Sequence, residues 1–138
     1  MDKLVEWNPS LVLGVKLFDE HHEHLIFLLN ATCDLVVSRA PAERYDGIFR
    51  ELKEYAVYHF EAEERWMHEQ EYPQLQIHLE QHKAFLDEIL AFEQELGEGK
   101  SFVTVGLLTF IKEWLLHHIY KVDSQYATLL VSRGIPEA

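Results

Sequence analysis

Four stretches of this chain repeat inward-facing side chains at steps of three and four, and histidine and glutamate take regular places in those repeats. Such a period belongs to an amphipathic α-helix and excludes a strand, whose period is two. Ile48, Leu52, Ala56, His59, Glu63 and Trp66 share one face; His78, His82, Phe85, Ile89, Phe92 and Leu96 share another. Leu107, Ile111, Trp114 and His118 form a third stripe, and Phe18, His22, Leu25, Leu29 and Val36 a fourth. A buried imidazole or carboxylate costs several kcal/mol unless it is paired or ligated. The polar members of the stripes therefore constrain the chain more tightly than the apolar ones.

The helix breakers are sparse and set the boundaries. A first helix is expected from about Asp19, a plausible N-cap, to Ser38. Pro41 suits the start of a second, from Ala42 to Gln70, which carries Gly47 inside it at some cost. A third runs from Leu75 to Leu96 with Gly97 as C-cap, and a fourth opens on Ser101 and reaches Lys121. Four amphipathic helices with short connections predict an all-α fold, an antiparallel up-and-down four-helix bundle. The expected layout is one domain over 1–138: an N-terminal arm over 1–18, the bundle over about 19–121, and a tail or short helix over 124–138.

Composition narrows the functions. A net charge of −12 repels phosphate backbones and gives no basic patch for anionic lipid, so neither nucleic acid nor a membrane surface is the expected partner. No apolar run approaches the ~20 residues of a membrane span. The opening residues lack the pattern of a secretory signal, and Cys33 is the only cysteine. A cytoplasmic location is expected, with Cys33 a small buried apolar group.

The nine histidines carry the chemistry. His59 and Glu63 lie one turn apart on one helix face, and His78 and His82 do the same on the next. The first helix adds His22, chosen over His21 because it shares a face with Phe18, Leu25 and Leu29. The fourth adds His118, favoured over His117 by its phase with Ile111 and Trp114. Asp123, five residues on, lies about 140° off that face in a regular helix and joins only where the helix ends or bends. His21, His24, His68 and His117 are expected to face solvent or back a ligand, and Glu61 and Glu64 to lie on a solvated face.

Imidazole with carboxylate and no thiolate points to iron, manganese or zinc rather than an iron–sulfur cluster. Seven donors exceed the four of a structural zinc site, so two metals are implied. With about six positions on each, five imidazoles, two bridging carboxylates and one bridging oxygen leave one place for a small molecule.

The ordered pattern resembles the bacterial haemerythrins: a histidine in the first helix, H-x-x-x-E in the second, H-x-x-x-H in the third and H-x-x-x-x-D closing the fourth. Trp114-Leu115-Leu116-His117-His118-Ile119 and the opening Trp7, Gly14-Val15 and Asp19 are similar to the family as well. His21 departs from it, since the family commonly has glutamine there. The resemblance implies two iron ions passing between Fe2+ and Fe3+, with a bridging oxo or hydroxo group and dioxygen as reversible ligand. His78, His82 and His118 would hold one iron, His22 and His59 the other, and Glu63 and Asp123 would bridge. Trp114, Leu115 and Ile119 would line a dry oxygen pocket.

The expected function is non-enzymatic oxygen storage, delivery or sensing. One alternative is a di-iron enzyme with peroxidase-like or nitric-oxide-handling activity. Such oxidases typically carry more carboxylates, as Glu-x-x-His motifs. Another is an iron- or oxygen-sensing module, docking through its tail to an oxygen-consuming enzyme or a signalling protein.

Overall fold

A computed structural model describes residues 5–11, 16–100 and 102–119. Four helices make the bundle: α1 (Lys16–Val37), α2 (Asp46–Glu69), α3 (Leu75–Gly97) and α4 (Val103–His117). Each packs on its neighbours in sequence, and α4 closes the ring against α1. This is the all-α up-and-down bundle that short connections dictate. Among the described residues, no helix is long and apolar enough to cross a membrane.

The boundaries depart from expectation where capping chemistry decides them. α1 begins at Lys16, so Asp19 is not its N-cap but an acid in its first turn, where it complements the helix dipole. Pro41 leads into a 3-10 turn over Ala42–Tyr45, and α2 proper starts at Asp46. Gly97 is the last residue of α3 rather than its cap. The left-handed residue is Gly99 (φ 86°), where the Gly99 and Lys100 N–H groups donate to Leu96 and Glu95 carbonyls at 3.0 and 3.1 Å. Arg39 (φ 54°) and Glu71 (φ 52°) end α1 and α2 with the same pair of bonds. Ser101, the chain beyond Ile119 and most of the segment before α1 fall outside the described residues.

The stripes pack as a main core and a smaller apolar cap. Leu25, Leu29, Leu52, Ala56, Phe85, Ile89, Leu107, Ile111 and Leu115 belong to the main core. Phe18, Met67 and Tyr72 form the cap. Full burial of each large apolar side chain stabilises by roughly 1.5–3 kcal/mol. The helical phase drifts at the ends of α2: Phe49 and Met67 are buried, while their neighbours Ile48 and Trp66 are half-buried. In the N-terminal arm, the Asn30 side-chain amide grips Val5, accepting from its N–H at 3.0 Å and donating to its carbonyl at 2.8 Å.

Candidate metal centre

Between the cap and the main core, every helix contributes a polar residue to one buried layer. On α1, His22 follows Phe18 by one turn and precedes Leu25. On α2, His59 and Glu63 lie between Ala56 and Met67; on α3, His78 and His82 lie between Tyr72 and Phe85; His118 follows Leu115. His22, His59, Glu63, His78, His82 and His118 are each at most 2% exposed. One heptad-like step along each helix thus replaces an apolar residue by a metal-binding type, and the bundle brings those steps to one level.

Glu63 is the hub. Its Oε1 lies 3.1 Å from His59 Nε2, 3.3 Å from His118 Nε2 and 3.5 Å from His82 Nε2. His22 Nε2 approaches His59 Nε2 to 3.1 Å. Two donor triples result, His22–His59–Glu63 and Glu63–His82–His118, each with its ligand atoms within 4.8 Å of one another. His78 belongs to neither triple, but its ring centroid stands 5.8 Å from that of His82 and 6.0 Å from that of His118.

Asp123 lies outside the described residues. Residues 118–119 leave the α-helix for a wider π-type turn.

The donor set fits a metal. Glu63 Oε2 is fully buried and accepts no hydrogen bond, an arrangement that costs about 1–3 kcal/mol or more in a neutral core. Burial alone would raise the Glu63 pKa. The neighbouring His59 imidazole and hydrogen bonds from His118, His59 and His82 outweigh it, and the carboxyl is held well below its usual range. A carboxylate kept ionised among imidazole nitrogens in a dry layer is the composition of an Fe, Mn or Zn site.

The ligand rings are also braced. Phe60 stacks on His82 at 3.9 Å with an interplanar angle of 2°. Trp114 stacks on His118 at 4.5 Å and 14°. Those two aromatics, with Leu25, Ala56, Phe85 and Leu115, border an enclosed apolar cavity with about 10 Å³ of room for the centre of a water-sized sphere. That is near the lower limit for one water, and the lining offers no polar group to retain it. Of the expected pocket residues, Trp114 and Leu115 line this space; Ile119 is fully buried in the main core and does not.

Two residues back the layer: Glu64, expected only on a solvated face, and His21, expected to face solvent or back a ligand. Glu64 is not simply on a solvated face: its Oε2 lies 2.7 Å from His82 Nδ1. A carboxylate behind a metal-binding histidine fixes its tautomer and raises its basicity. His21 is buried, with Nδ1 2.9 Å from His59 Nδ1. Burial, reinforced by the charges of His59 and His22, pushes its pKa down to about 4, so it is neutral at neutral pH. His68 and His117 are exposed and His24 is half-buried.

The family model for the Hemerythrin HHE cation binding domain matches residues 13–130. The chain belongs to the haemerythrin family. Curated relatives of this haemerythrin include the Bacteriohemerythrin of Clostridium acetobutylicum, 28% identical over 124 residues that span 87% of this chain and 96% of that protein. The Bacteriohemerythrin of Ralstonia nicotianae is 27% identical, spanning 98% of this chain and 94% of the relative. The Hemerythrin-like protein of Naegleria gruberi is 29% identical across 90% and 92%. A crystal structure of wild-type hemerythrin matches the fold with a TM-score of 0.81 at 23% identity, covering 91% of this chain and 96% of the other.

Proposed function

We propose that this haemerythrin holds two iron ions in its buried histidine layer and binds dioxygen reversibly for storage, delivery or sensing. The observation that carries the reading is the pair of donor triples sharing Glu63, completely enclosed between two apolar clusters. His22 and His59 would hold one metal, His78, His82 and His118 the other, and Glu63 and Asp123 would be shared by both. An iron pair with a bridging oxo or hydroxo group would supply the reversible Fe2+/Fe3+ chemistry that dioxygen binding needs.

The chain's own side chains supply the rest. Glu64 holds the ring of His82 by its Nδ1 atom. Phe60 and Trp114 fix two ring planes. Trp114 and Leu115 keep the adjoining space apolar and so limit the water that would promote irreversible oxidation. We assign Ile119 to the apolar packing behind that wall. The reading is that of a binding protein of the cytoplasm rather than an enzyme.

The test is anaerobic reconstitution with ferrous iron, metal analysis, then cycles of air and argon. Two irons per chain and a visible absorption band that appears in air and fades under argon are expected. Uptake of a single iron overturns the two-metal site. Two irons that oxidise once without a reversible band overturn oxygen carriage and leave the metal site standing.

A further inference from the structure

Among the buried polar residues, His21 is the histidine for which the proposed site has no ligand role. It sits one position off the α1 stripe, 2% exposed, on the side of α1 that meets α2. Its ring is enclosed by Tyr58 at 5.0 Å, Tyr55 at 5.7 Å and Phe18 at 6.4 Å between centroids. It meets His59 edge-on at 5.0 Å and 86°. The contact is through Nδ1 on both rings, 2.9 Å apart. The other nitrogen of His59, Nε2, faces Glu63 Oε1 and His22 Nε2, each at 3.1 Å.

A neutral imidazole has one N–H and one lone pair. For His59 to offer its Nε2 lone pair to a cation, its proton must sit on Nδ1, and a buried Nδ1–H needs an acceptor. The only tautomer of His21 that accepts there carries its own proton on Nε2. The opposite pairing, with His21 donating into His59 Nδ1, would aim a proton from His59 Nε2 at the centre of the layer and oppose a cation. We infer that His21 is a positioning residue that holds His59 in its metal-binding tautomer and ring orientation. The inference rests on the two-metal reading above and deepens it. His82 leans on a carboxylate, Glu64, whereas His59 leans on a second imidazole. The two metal positions are therefore braced by unlike partners.

The test compares the full-length chain with its His21→Leu and His21→Gln variants, loaded with Co2+. Leucine fills the space without accepting a hydrogen bond, while the glutamine amide oxygen can accept from His59 Nδ1. Three quantities are read: Co2+ per chain after gel filtration, release rates into a chelator, and the thermal midpoint of each metal-free protein. The expected result is slow release of two Co2+ from the parent and His21→Gln. In His21→Leu one Co2+ leaves about 10- to 100-fold faster, with the other unchanged. Where the leucine variant melts lower, rates are compared at a temperature at which all three are folded. Parent and His21→Leu releasing both ions at equal rates overturns the role of His21 and leaves the site intact. Glutamine behaving as leucine does also overturns it, as a packing effect. A parent that takes up fewer than two Co2+ overturns the site, and this role with it.

Discussion

At the scale of single residues, Glu64 shows why a ligand's partner is harder to find than the ligand. It neighbours Glu63 and so lies about 100° around the helix, outside the stripe. Its contact with His82 crosses from α2 to α3, a distance that spacing along one helix cannot carry. For His21 the spacing left two roles open, facing solvent or backing a ligand, because its partner His59 stands on another helix. The six ligand-type residues of the layer were legible because each holds a place in a stripe otherwise filled by apolar residues. Removing the Glu64 carboxylate by Glu64→Ala is expected to speed metal release from the three-histidine side about 10- to 100-fold, measured by chelator competition. Leu115 is buried and lines the apolar cavity. Leu115→Ala is expected to cost about 2–5 kcal/mol in denaturant unfolding. On the proposed function it also shortens the lifetime of the oxygenated form, followed by decay of its visible band.

At the scale of elements, the four helices could be read from period and breakers, yet their ends could not. Helix ends are set by which backbone groups find partners. Pro41, Gly97 and Gly99 mark a boundary only to within a turn. Arg39 and Glu71 gave no signal at all, because neither is a residue type that favours a left-handed conformation. Both sit where glycine is ordinarily found. Arg39→Gly and Glu71→Gly are each expected to stabilise the fold by about 0.5–1 kcal/mol, read as a rise in thermal midpoint. Gly99→Ala is expected to destabilise by a similar ~1 kcal/mol, through backbone strain alone, since a Cβ there would touch nothing within 4 Å. The phase problem that Asp123 posed falls outside the described residues, which end in a π-type turn at residues 118–119.

At the scale of the whole molecule, a layer of histidines and one carboxylate interrupts an otherwise apolar interior. Without a cation, that layer holds polar atoms the fold has removed from water. Metal binds this folded arrangement and not the unfolded chain. At a free concentration a thousandfold above Kd it adds about 4 kcal/mol of stability. For a domain of this size that is on the order of 10–15 °C in thermal midpoint. Calorimetry before and after chelation should show the difference, and equal midpoints would mean that the layer is satisfied without metal.

On the two-metal reading, the sharing of Glu63 by both donor triples would make the two positions partners rather than independent compartments. The first ion to arrive would fix a side chain that the second also needs, and so would bear the organising cost for both. Titration with a colourless divalent ion, followed by native mass spectrometry, is then expected to populate empty and doubly filled chains. Singly filled chains should be rarer than statistical filling predicts. A protein built this way reports metal supply in steps: scarcity thins the number of competent molecules and leaves each survivor whole.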